Sequence, residues 1–213
     1  MRADAQFRYG AVFLIVLTLV VFEIVAPAGD WERAVALVLA GSALIVAVAT
    51  WRTRSHRQDQ LTLLVSAGVA VLVVGVATGF FSAAVEAAAI TLLVLAIPVT
   101  LFRGLLRLGR EQGATLQAIA GALSIYLMLG LLFASVIAFV AEVQDRPYFA
   151  QGDVSSGDRV YYSFTVLTTT GFGDYTAATP VGHALAVLEM LAGQLYLVTV
   201  IGVLIGHYVR RRS

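Results

Sequence analysis

The chain has 213 residues, of which 60% are hydrophobic and 13% charged, with a formal net charge of +1 and a mean hydropathy of +0.89. A soluble domain carries about 25% charged residues, so this composition excludes a soluble globular protein and predicts an all-α integral membrane protein. Cysteine is absent and all 14 basic residues are arginine, which excludes a disulfide frame, a thiolate nucleophile and a cysteine metal site.

In chain order, a short polar start with Arg2 and Arg8 leads into a first apolar run over 9–26. Ala26-Pro27-Ala28 fits the small-residue pattern of a signal cleavage site, but the run is long enough to span, at about 20 residues, and is read as a helix. A turn over 27–33 precedes a second helix over 34–51, a basic loop over 52–60 and a third helix over 61–81. A turn around Ser82 leads to a fourth helix over 85–102, where Pro98 marks a kink. Arg103, Arg107 and Arg110 then recur at helical spacing in 103–113, with Leu105, Leu106 and Leu108 largely on other faces, an amphipathic interfacial pattern. The fifth helix covers 114–141 and a polar loop 142–158. A helix over 159–169 is too brief to span, a polar run at 165–176 follows, and Pro180 precedes a sixth helix over 181–208.

Arginine placement orients the chain. With both termini on one side, that side holds Arg2, Arg8, Arg52, Arg54, Arg57, Arg103, Arg107, Arg110, Arg210, Arg211 and Arg212; the other holds Arg33, Arg146 and Arg159. The termini are therefore expected in the cytoplasm of a cell (inner or plasma) membrane, with anionic lipid headgroups at the cytoplasmic arginines. The outer side carries Glu142, Asp145, Asp153, Asp158 and Asp174, which would concentrate cations at a mouth. Asp30 and Glu32 read as ordinary solvated loop charges, and Glu23 as an acid that snorkels to water.

The run TVLTTTGFGDYT, 165–176, interrupts this pattern of spans. Gly171 and Gly173 allow left-handed backbone that other residues resist. Such a backbone can turn successive carbonyls toward one axis and replace the water around a cation. Non-helical backbone at membrane depth must be buried in protein or line an aqueous cavity. One chain offers one such loop, so several copies are needed, and closed fourfold symmetry is the natural arrangement.

YYSFTVLTTTGFGDYT, 161–176, placed between the fifth and sixth helices, resembles the pore helix and selectivity filter of potassium channels. The resemblance covers 114–208. It implies a six-helix subunit with a re-entrant pore helix and filter between helices 5 and 6. The implied division is a four-helix domain over 1–102, a cytoplasmic linker over 103–113 and a pore domain over 114–213. Thr169, Thr170, Gly171 and Phe172 would bind K+, the permeant ion, through their carbonyls, with the Thr169 hydroxyl added. Gly173 would permit the last turn and Asp174 would brace the outer mouth. Gly193 would be the gating hinge of the inner helix. The sequence departs from the family at four places. Thr170 stands for Val and its hydroxyl needs a partner. Phe172 stands for Tyr and lacks a hydroxyl. Tyr161 and Tyr162 replace tryptophans and supply hydroxyls from the other side. Thr165 stands where some members carry a Glu paired to the filter aspartate.

Glu189 lies inside the sixth helix, where a carboxylate is expensive; it reads first as a buried acid, protonated or not, hydrogen-bonded to the pore helix or the fifth helix, and otherwise as a group that faces the pore or braces the filter from behind. Gln194 and Tyr196 are expected to hold helix contacts, and His183 and His207 to be solvated at the helix ends. The fourth helix has no arginine within 85–102, so little or no intrinsic voltage dependence is expected. No catalytic constellation, phosphate loop, cofactor site or nucleic-acid surface is apparent. The leading expectation is a homotetrameric potassium channel. The alternatives are a non-selective monovalent cation channel and a non-conducting membrane sensor or assembly subunit. Gly171→Ala is expected to abolish potassium flux into liposomes, because a Cβ disfavours the conformation the run needs; unchanged flux would contradict the filter.

Overall fold

The computed structural model describes residues 8–27, 29–49, 60, 64, 67–72, 74–75, 78–80, 82–112 and 115–210. Its helices are α1 (Arg8–Val25), α2 (Asp30–Ala49), α3 (Ala83–Gln112), α4 (Leu116–Val143), α5 (Ser156–Leu167), α6 (Pro180–Tyr196), a π-helical segment (Leu197–Ile201) and α7 (Gly202–Arg210). Among the described residues, four helical stretches are long and apolar enough to cross a membrane: Trp31–Val48, Ala83–Arg103, Leu116–Val143 and Pro180–Gly206. Tyr9–Val25 is a shorter apolar helix. Within the expected third helix, 64, 67–72 and 74–75 are helical and 78–79 form a turn, with Gly79 at φ +63°, so the helix does not run to 81. Most of its other residues lie outside those described, as do the basic loop over 52–59 and both chain ends.

The core lies where α1, α2, α3 and α4 meet. Val12, Val16, Leu19, Ala43, Leu44, Ile97, Leu101, Ala122 and Met128 are buried there. Small residues permit the approach: a Cβ at Gly121 would come within 2.9 Å of the Tyr9 ring. A second cluster joins α4, the following loop and α5 through Ile137, Tyr148, Phe149, Tyr162 and Val166. The Phe149 and Tyr162 rings meet edge to face at 5.1 Å.

Caps set the boundaries around the site. Thr115 accepts from the Ala118 amide and starts α4. Ser155 and Asp158 form a reciprocal capping box at the start of α5, satisfying two amide donors that the helix leaves open. Burial works against the Asp158 carboxylate, but hydrogen bonds from Ser155 and Tyr175 and the charge of Arg159 outweigh it and hold its pKa below the usual range. Thr179 caps α6, with Pro180 at its first position, where a missing amide hydrogen is tolerated.

Three sequence expectations change. The boundary at 102/103 falls inside α3, a single 30-residue helix that carries Pro98 in its interior. Within the expected linker, Leu105 is buried and Arg103 exposed, and the Arg107 and Arg110 side chains lie outside the described set. Glu32 is not a solvated loop charge. It is 2% exposed, accepts from the Ser156 hydroxyl and from the Gly29 amide at 3.2 Å, and so links α2 to the start of α5. Glu23 does not simply reach bulk water: with Glu32, Glu86, Glu142, Arg33 and Arg159 it lines a cavity of about 180 Å³.

At the start of α5, a Cβ on Gly157 would lie 2.8 Å from the Glu23 carbonyl of α1. Gly157→Ala is expected to lower stability by about 1–3 kcal/mol through overpacking, read as a fall in the thermal unfolding midpoint in detergent. An unchanged midpoint would contradict this contact.

Candidate functional site

Helix α5 has 12 residues, about 18 Å at the α-helical rise, and cannot cross the roughly 30 Å hydrocarbon layer of a bilayer. It ends at Leu167, and Thr168 closes it with its amide on the Phe164 carbonyl at 3.1 Å. The chain then leaves helical geometry. Thr169 has φ +58°, Gly171 +54° and Gly173 +82°, while Thr170 and Phe172 keep ordinary negative φ. The hand of the backbone reverses at every residue from 169 to 173. Rotations of opposite hand cancel, so the strand runs extended and successive peptide planes keep their carbonyls on one side.

The hydrogen bonds say which side. The Thr170 and Gly171 amides both donate to the Thr165 carbonyl, at 2.8 and 3.1 Å. In a trans peptide the carbonyl points opposite to the amide. The Thr169 and Thr170 carbonyls therefore aim away from α5, and all residues from 168 to 174 are exposed. Positive φ is uncommon for a non-glycine residue and costs of order 1–3 kcal/mol, so Thr169 must be held. Its amide donates to the Val166 carbonyl at 2.9 Å, and its hydroxyl accepts from Gln194 Nε2 of α6 at 3.2 Å.

The departures from the family pattern find partners. The Thr170 hydroxyl meets that of Thr168 at 2.9 Å, and Thr168 donates to the Phe164 carbonyl at 2.7 Å. The Phe172 ring lies parallel to that of Tyr161, 6.3 Å between centroids. The Tyr161 hydroxyl faces Asp174, so a tyrosine one residue before Tyr162 is the one placed near the aspartate. Tyr162 instead packs edge to face against Tyr148, 6.5 Å between centroids, and supports the loop after α4. Thr165 acts through its backbone: its hydroxyl turns back to the Tyr162 carbonyl at 2.8 Å, and its own carbonyl takes the two amides of the run.

Helix α6 is pressed against the end of α5. Glu189 is fully buried and one carboxyl oxygen contacts the Ser163 hydroxyl, placing it behind the run. Tyr196 donates to the Ala122 carbonyl of α4 at 2.7 Å, and His183 is exposed at the start of α6; the His207 side chain lies outside those described. Gly193 is buried, and a Cβ there would lie 2.2 Å from the Leu167 carbonyl oxygen. The glycine expected as a hinge is thus required by a close approach. The helical irregularity falls four residues later, in the π segment Leu197–Ile201, a geometry that recurs at functional sites. Sequence reasoning missed Ser163, because a hydroxyl residue in a helix carries no signal of its partner 26 residues away.

Residues 122–210 match the family model described as ion channel. The match begins within α4 and ends with α7, so it takes in α5, the 165–176 run and α6. No curated protein and no solved structure matches the chain. The chain is helical, with stretches long and apolar enough to cross a membrane, and its 122–210 segment is similar to the ion channel family.

The two views of Gly193 separate on stability. Gly193→Ala is expected to lower the unfolding midpoint of the protein in detergent by several degrees, whereas Gly206→Ala, where a Cβ would meet nothing within 4 Å, is expected to leave it in place. An unchanged midpoint for Gly193→Ala would return the residue to a role in flexibility alone.

Proposed function

We propose that the chain is one subunit of a homotetrameric, potassium-selective channel that conducts passively, in a cell membrane with both termini cytoplasmic. The observation that carries this reading is the alternation of φ sign from Thr169 to Gly173. It gives a short extended strand with carbonyls on one side, the chemistry that replaces a cation's hydration shell. Thr169, Thr170, Gly171 and Phe172 supply the oxygens, Gly173 the last turn, and Asp174 the outer brace.

A tetramer follows from what one chain leaves uncovered. The polar run is exposed, and backbone of that kind at membrane depth needs protein or an aqueous lumen around it. Along α6 and beyond, Val187, Leu188, Leu191, Leu195 and Val198 are exposed on neighbouring turns, an apolar face for adjacent subunits or lipid. Cyclic closure brings four runs around one axis. Six crossings, with α5 and the run entering from outside, keep both termini on the arginine-rich side. The stretch of α3 from Ala83 to Phe102 has no arginine, which favours little or no intrinsic voltage dependence.

A non-selective cation channel is the second reading, favoured by Thr170 and Phe172, whose contacts brace the strand differently from a Val and a Tyr. The deciding measurement is potassium against sodium flux in liposomes holding the purified protein, beside its mass in detergent. The expected outcome is a tetramer with potassium flux at least tenfold above sodium flux. Equal fluxes would establish the non-selective channel, and a monomer without flux a sensor or assembly subunit.

A further inference from the structure

Behind the run, one hydroxyl faces two acceptors. Ser163 Oγ of α5 lies 2.7 Å from the Gly130 carbonyl of α4 and contacts Glu189 Oε1 of α6. A serine hydroxyl has one proton to donate. If Ser163 gives it to an ionised Glu189, its oxygen faces the Gly130 carbonyl lone pair to lone pair. The carboxylate is then left with a second oxygen, Oε2, that is buried and has no hydrogen-bond partner. If Glu189 carries a proton on Oε1, every contact is satisfied in one direction: Glu189 donates to Ser163, and Ser163 donates to Gly130. Oε2 then remains as a neutral carbonyl oxygen.

The surroundings favour the second arrangement. Glu189 is fully buried within a single chain, and assembly can only bury it further. The titratable groups that face it are the hydroxyls of Tyr126 on α4, Tyr148 in the loop and Tyr162 on α5. Among the described residues no arginine or histidine pairs with it. A buried carboxylate without a countercharge neutralises by taking up a proton.

We infer that Glu189 is held as a neutral carboxylic acid whose proton, passed as a hydrogen bond through Ser163 to Gly130, is the positioning element that ties α6, α5 and α4 together behind the conducting strand. The site of this tie matters. Four residues further along α6, Gly193 seats against the Leu167 carbonyl, and the next residue, Gln194, holds Thr169. The acid sets the spacing on which both contacts depend. Its effect on conduction rests on the channel reading above; its protonation does not.

Infrared spectroscopy of the full chain reconstituted in lipid at neutral pH tests the proton directly. The wild-type minus Glu189→Gln difference is expected to contain the carbonyl stretch of a protonated carboxylic acid. A difference containing carboxylate bands instead would overturn the inference. Flux tests the positioning. Glu189→Gln keeps a donor toward Ser163 and is expected to stay within threefold of the wild-type potassium flux, while Glu189→Ala, with no donor, is expected to lose at least tenfold. A glutamine variant as impaired as the alanine variant, with both still assembled, would overturn the positioning role. A wild-type protein that passes no potassium would sink the channel reading and leave the infrared result to stand.

Discussion

Everything in the C-terminal half of this chain depends on one carbonyl oxygen, that of Thr165. It lies in the last turn of α5, where helix carbonyls lack intrahelical partners, and it accepts the amides of both Thr170 and Gly171. The double contact folds the strand back along the helix that precedes it. It also fixes which way the peptides face, because two amides committed to α5 send the carbonyls of Thr169 and Thr170 the other way. The strain at Thr169 and the glycines at 171 and 173 are the means of keeping that orientation for five residues.

Helix α6 makes this arrangement rigid. Gly193 lets its backbone reach the Leu167 carbonyl, which no side chain would allow. The contact brings Gln194 within reach of Thr169 and Glu189 within reach of Ser163. Packing and polar contacts here are not separable. Moving α6 outward by the width of a methyl group would open both hydrogen bonds, and leaving the buried Ser163–Glu189 pair unmade carries its own penalty. The π segment at Leu197–Ile201 begins once these contacts are made. The rigid part of α6 therefore ends where its attachments to α5 end.

The sequence made the central run legible because its signal is local. Two alternate glycines after threonines, with an aspartate behind them, specify backbone freedom and polarity within a dozen residues. The helical character of the chain and the shortness of α5 followed from run lengths, although α5 begins and ends earlier than expected because its start is set by the Ser155–Asp158 capping box. What was not legible lies across sequence separation. The distance between Leu167 and Gly193 decides whether that glycine is a hinge or a seat, and no pattern along the chain encodes it. Ser163 and Glu189 each looked like an isolated polar residue in an apolar helix. Glu32 was misread for the same reason: a charge in a turn looks solvated until Ser156, 124 residues away, is placed against it. Tyr161 and Tyr162 were recognised together as hydroxyl donors, but only the fold divides their labour between Asp174 and Tyr148.

The first three helices then acquire a mechanical meaning. Helix α5 is held at its C-terminal end by α6 and at its N-terminal end by the α1–α2 corner. There Gly157 packs on the backbone of Glu23 and Ile24, and Glu32 takes the Ser156 hydroxyl. A helix clamped at both ends cannot tilt without disturbing one clamp. A displacement of α1 or α2 therefore reaches the Thr165 carbonyl through a rigid rod of three turns, and the cavity lined by Glu23, Glu32 and Arg159 sits against the outer end of that rod. The α1–α2 corner thus bears directly on the pitch of the helix from which the 169–173 strand hangs.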